Sequence, residues 1–121
     1  MLSISLGFTG NAKEVMEFYA NAFDCELQES DIWLGEQGEV AHGELNIYGN
    51  KVMFTDWKEE AEVFSGFTLS INLADEQELR ERFNKLSAGA EILMPLAKVE
   101  WSECYGMIKD KFGVRWEFNL D

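Results

Sequence analysis

His42 is the only histidine in the 121-residue chain, and Glu44 stands two positions beyond it. In the alternating stretch that holds them, Ala41, Gly43, Leu45 and Ile47 share one side, which leaves His42, Glu44, Asn46 and Tyr48 on the other. An imidazole beside a carboxylate suits a proton acceptor, or part of a divalent metal site. A second alternation sets Val114, Trp116, Phe118 and Leu120 against Arg115, Glu117 and Asn119. Both polar faces read equally as the walls of one cavity or as the solvated sides of half-buried strands. Trp57, Trp101 and Tyr105 complete the candidates, as rings that stack on a flat or cationic ligand or as core and dimer packing.

Other chemistries lack their motifs. No GxGxxG follows a strand, and GxxxxGK[ST], HExxH and GxSxG are absent. Nucleotide-dependent and hydrolase-triad readings therefore have no support.

The elements that must position these residues occur twice. Leu2-Ser3-Ile4-Ser5-Leu6 returns as Leu69-Ser70-Ile71-Asn72-Leu73, each a half-buried strand. Asn11 with Glu14, and Asp75 with Glu78, then have capping-box spacing and mark helix starts. Val15, Phe18, Tyr19, Ala22 and Phe23 recur at helical spacing, as do Leu79, Phe83 and Leu86. Glu26-Leu27-Gln28 and Ala90 to Met94 open the next strands. A hairpin follows in each half: Val40 to Tyr48 with Val52 to Thr55, turning at Gly49-Asn50, and Cys104 to Lys109 with Val114 to Leu120. The order is strand, helix, strand, strand, strand, twice. We expect an α+β fold of two βαβββ modules over 1–56 and 67–121, joined by a linker at 57–66 into one domain. The two mixed sheets curl around a cup, with helices on the outer face.

The composition narrows the partners. Ten Lys and Arg against twenty-three Asp and Glu give a formal charge of −13, which disfavours nucleic acid and anionic membranes. No apolar run approaches the ~18 residues of a membrane span. Cys25 and Cys104 stand in no metal or redox spacing, and the opening Met1 to Gly7 lacks a basic, longer apolar leader. A cytoplasmic setting with packed thiols is expected.

The duplicated unit resembles the vicinal oxygen chelate superfamily, which includes glyoxalase I, the bleomycin and fosfomycin resistance proteins and the extradiol dioxygenases. It is most similar to the PhnB-like, or 3-demethylubiquinone methyltransferase-like, branch. The resemblance rests on Phe8-Thr9-Gly10-Asn11 leading into Ala12 to Phe23, Ala41-His42-Gly43-Glu44-Leu45, Gly89 to Leu96, and Tyr105-Gly106-Met107 running into Asp110 to Glu117. It implies a homodimer with one open cup per module pair. It also implies a divalent-metal ligand at Glu117, after the Asp-x-x-Gly turn, with the first-half counterpart at or near Glu44 and His42 beside it. The metal ligands this implies are His42 and Glu117. Where such relatives carry first-strand donors, this chain offers Ser3 or Ser5 and Thr68, Ser70 or Asn72, all weak neutral ligands. The favoured expectation is therefore a small-molecule-binding protein without a complete metal site, using His42, Glu44, Trp57, Trp101, Tyr105 and Glu117. The alternatives are a divalent-metal-dependent lyase, isomerase or dioxygenase on a small oxygenated substrate, and a dimer that has lost its site. A methyltransferase would need a glycine-rich strand-to-helix turn for a nucleoside cofactor, and none is present.

Overall fold

The structure, a computed structural model, describes residues 2–57 and 63–121. It divides into two compact units, Met1–Glu62 and Val63–Asp121. The expected linker at 57–66 falls partly on residues 58–62, which lie outside the described residues.

The first unit runs β1 (Ile4–Phe8), α1 (Ala12–Ala22), β2 (Ile32–Leu34), β3 (Val40–Ile47) and β4 (Asn50–Asp56). The second runs β5 (Leu69–Leu73), α2 (Glu76–Leu86), β6 (Glu91–Val99), β7 (Ser102–Lys109) and β8 (Arg115–Leu120). Each forms a four-stranded mixed sheet, in order β1-β4-β3-β2 and β5-β8-β7-β6. The inner pairs β3–β4 and β7–β8 are antiparallel hairpins, while β1–β4 and β5–β8 are parallel. The expected α+β architecture of two βαβββ modules is present.

Each helix covers one face of its own sheet. Val15, Met16 and Tyr19 of α1 are fully buried, and the Tyr19 ring lies 6.0 Å from Phe54 of β4. In the second unit Phe83 of α2 meets Phe118 of β8 at 5.4 Å. Equivalent glycines admit these helices. A methyl group on Gly43 would meet Met16 Sδ at 2.5 Å, and one on Gly106 would meet Leu96 at 2.9 Å and Phe83 at 3.1 Å. Alternation then sends His42 and Glu44, and Tyr105 and Met107, to the face away from the helix.

Several boundaries differ from expectation. The true repeat is offset by two residues, because Ile4 to Phe8, not Leu2 to Leu6, corresponds to Leu69 to Leu73. A slip of two preserves every side chain's face, so the periodicity did not reveal it. Glu26 to Gln28 form no strand. A 3-10 turn at Glu29–Asp31 follows, where the Asp31 carboxylate accepts from Gln28 N at 2.9 Å, and β2 begins only at Ile32. The β3–β4 turn is centred on Tyr48 (φ 49°) and Gly49 (φ 82°) rather than Gly49-Asn50.

The capping expectation holds in one unit only. Asp75 accepts from Glu78 N at 3.1 Å, whereas Asn11 makes no cap bond and instead accepts from Thr9 N. The α1 N-terminus is served from across the unit by Asp56. Its Oδ1 accepts from Gly10 N (2.9 Å) and Ala12 N (3.0 Å), and its Oδ2 from Val40 N (2.9 Å). A buried carboxylate at a helix N-terminus gains both unpaired amide donors and a favourable dipole. Asp110 does similar work in the second unit, accepting from Phe112 N, Val114 N and the Trp116 indole at 2.9–3.0 Å. Asp56→Ala or Asp110→Ala leaves three donors unpaired, and each is expected to lower stability by about 3 kcal/mol. Urea unfolding measures this as a lower midpoint at constant slope. A change below about 0.5 kcal/mol would show that neither carboxylate ties its unit together.

Candidate functional site

The open face of the first unit is crossed by two rows of side chains. Trp33 on β2 pairs with His42 on β3, and their rings lie 5.2 Å apart. His42 Nε2 meets Glu44 Oε1 at 3.0 Å, and Lys51 Nζ approaches the same oxygen at 3.7 Å. The hydrogen bond with His42 holds the Glu44 carboxyl below its ordinary value, with Lys51 adding to the effect and partial burial opposing it. Glu44 pairs with Met53 of β4, which pairs with Ser5 of β1. At the far edge Trp57 donates its backbone N–H to Phe8 O, and its indole lies over Gly7, where an added methyl carbon would stand 1.6 Å from Nε1. Trp33 and Trp57, 50% and 59% exposed, therefore stand at opposite edges of the sheet with His42 and Glu44 between them. A hollow of about 450 Å³ adjoins this face, bordered by Glu44, Asn46 and Lys51 on one side and Glu26, Gln28 and Asp31 on the other.

The second unit is built alike but wired differently. Met107 of β7 pairs with Glu117 of β8, and Glu117 pairs with Ser70 of β5. Glu117 accepts hydrogen bonds from the Ser70 hydroxyl and, at 2.5 Å, from the Tyr105 phenol. These two donors, Ser70 first, keep its carboxyl below the ordinary value against the effect of burial. Tyr105 is pushed up to about 12, chiefly by burial and then by the carboxylate beside it. Trp101, 65% exposed, stacks edge-on to Tyr105 at 5.2 Å and borders a hollow of about 260 Å³.

The registers correct one correspondence. The row Glu44–Met53–Ser5 matches Met107–Glu117–Ser70, so the first-unit counterpart of Glu117 is Met53, one strand away from Glu44. His42 matches Tyr105, since each precedes the glycine that faces the helix. The structure thus brings together His42, Glu44 and Trp33 in one unit, and Tyr105, Glu117, Trp101 and Ser70 in the other. Trp33 went unmarked in the sequence because the strand that carries it has only three residues. Ser70 was visible there only as a weak neutral donor.

Neither unit by itself offers a divalent ion a fitting donor set. Among the described residues no three His, Cys, Asp or Glu side chains converge. The positions around Glu117 and its counterpart are hydroxyls and a thioether, which are poor replacements for imidazole and carboxylate.

The raised Tyr105 pKa means that the folded chain holds the phenol proton more tightly than the unfolded chain does. The resulting stabilisation is full below the ordinary value of 10.0 and is lost as pH rises towards about 12. Tyrosinate absorbance is expected to resolve one tyrosine titrating near 12, and Glu117→Gln is expected to lower that value. An unchanged titration in the variant would break the Tyr105–Glu117 link.

Comparison with known proteins agrees with this architecture. The family model described as 3-demethylubiquinone-9 3-methyltransferase matches residues 1–119. Protein YjdN of Escherichia coli K12 is 27% identical over 98% of this chain and 94% of its own. The solved PhnB protein of Bacillus cereus superposes with a TM-score of 0.83 at 28% identity, covering 99% of this chain and 98% of that one. A glyoxylase/bleomycin resistance protein/dioxygenase domain from Frankia sp. EAN1pec shares the fold, with a TM-score of 0.76 at 15% identity over 99% of this chain and 95% of that one. With the paired modules and this match over residues 1–119, the chain belongs to the family described as 3-demethylubiquinone-9 3-methyltransferase, which it shares in sequence and fold with the PhnB protein of Bacillus cereus.

Proposed function

We propose that this chain binds a small organic molecule on its open sheet faces without a resident metal ion. One observation carries the reading. In each unit an exposed indole stacks on a ring, His42 or Tyr105, that is hydrogen-bonded to a carboxylate. Large apolar rings are normally buried unless a ligand or partner covers them, and a ring set beside a polar anchor recognises both shape and orientation. Trp57 extends the aromatic surface of the first unit. The carboxylates are already engaged by hydroxyl, imidazole and ammonium donors within their own units, which supports recognition ahead of metal coordination.

We further propose that the protein is cytoplasmic and a homodimer. Free thiols at Cys25 and Cys104 fit a reducing compartment, and no helix among the described residues is long and apolar enough to cross a membrane. Ile92 and Met94, 45% and 40% exposed on the edge strand β6, give a second copy apolar surface to cover.

The test is tryptophan fluorescence of chelator-treated protein against a panel of flat aromatic compounds, with Trp33→Ala, Trp57→Ala and Trp101→Ala variants. Saturable quenching is expected without metal, weakened about tenfold or more by loss of the indole that stacks on the ligand. Binding or turnover that arises only after adding zinc, nickel, manganese or iron would overturn the proposal. That result would favour the metal-dependent alternative.

A further inference from the structure

Glu117 and Glu44 are both hydrogen-bonded carboxylates on open sheet faces, but they differ in what balances their charge. Lys51 stands 3.7 Å from Glu44, with His42 on the same oxygen. Glu117 has only the neutral hydroxyls of Ser70 and Tyr105, and among the described residues no cation pairs with it. Arg115, the cation two residues before it on β8, makes no ion pair with it. Two hydroxyl donors partly satisfy a half-buried carboxylate but leave its charge uncompensated.

A second acceptor lies beside it. Asn119 follows Glu117 by two residues on β8, so both project from one face with their Cα atoms roughly 7 Å apart. Its Oδ1 is buried without a hydrogen-bond partner. Its amide nitrogen faces Asp121 Oδ1 at 3.5 Å. An unpaired buried acceptor marks the place of a missing donor. Because the Ser70 and Tyr105 hydroxyls already donate their hydrogen bonds to Glu117, the centre of this face presents acceptors. Around it stand the Trp101 and Tyr105 rings, and the whole chain carries a charge of −13.

We infer that the open face of the second unit takes a protonated amine, its ammonium group set against Glu117, beside Asn119, and its apolar body against Trp101 and Tyr105. This rests on the small-molecule reading above and adds the ligand's chemical class. It also assigns unequal roles to the units, since Lys51 already occupies the corresponding electrostatic place at Glu44.

The experiment follows backbone amide signals of the whole chain by NMR during titration with 2-phenylethylamine and, separately, with its uncharged analogue 2-phenylethanol. The amine is expected to shift Tyr105, Glu117 and Asn119 saturably and to bind on the order of tenfold more tightly than the alcohol, the worth of one charge-assisted bond. Glu117→Gln is expected to abolish that preference. If this variant fails to fold, Glu117→Met, which copies Met53 of the first unit, gives the same readout. Equal binding of amine and alcohol would overturn the ammonium assignment while leaving the small-molecule reading intact. A preference that survives in the variant, or no shift from either probe, would also overturn the assignment. The small-molecule reading itself stands or falls on the uncharged flat compounds of the preceding test.

Discussion

An amphipathic helix laid on one face of a four-stranded sheet is the contact on which the rest of each unit depends. It requires β3 and β7 to carry a glycine where Met16 or Phe83 approaches, and it requires β4 and β8 to turn Phe54 and Phe118 inward. Once those positions are set, the two-residue period of a strand dictates that His42, Glu44, Tyr105 and Glu117 emerge on the other side. The buried carboxylates Asp56 and Asp110 then join strand ends, turn and helix start, so the open face rests on a rigid support. The residues of the open face are thus placed by the packing on the opposite face.

The two open faces show how a duplicated unit diverges without losing its frame. His42 and Tyr105 occupy matching positions and each meets an indole at the same 5.2 Å. The indoles come from different places, one from the edge strand and one from the turn before β7. The carboxylates also differ: Glu44 lies on the strand of its ring partner, whereas Glu117 lies on the neighbouring strand and has exchanged places with a methionine. One carboxylate is therefore paired with imidazole and ammonium, and the other with two hydroxyls. The frame is shared, while the electrostatics of the two faces are separate.

Much of this was legible from residue order, because periodicity reports faces directly. The alternation around His42 and around Glu117 assigned the open and helix-facing sides, and Asp75 identified its helix start. Three features were not legible, each for a physical reason. Long-range capping by Asp56 leaves no local spacing to read, since its partners Gly10 and Ala12 are more than forty residues away. The offset of the repeat by two residues is invisible to a pattern of period two. The exchange of Glu117 for Met53 depends on which strands are neighbours, and that information resides in the register alone.

The proposed reading has the Ser70 and Tyr105 hydroxyls, not a metal ion, as the partners of Glu117. A crystal structure of the chain grown with equimolar zinc or nickel, with anomalous data collected at the metal edge, tests it most directly. The account predicts Ser70 and Tyr105 still donating to the Glu117 carboxylate and no anomalous peak beside it. A peak about 2.0–2.2 Å from a Glu117 oxygen, with both hydroxyls displaced, would contradict it.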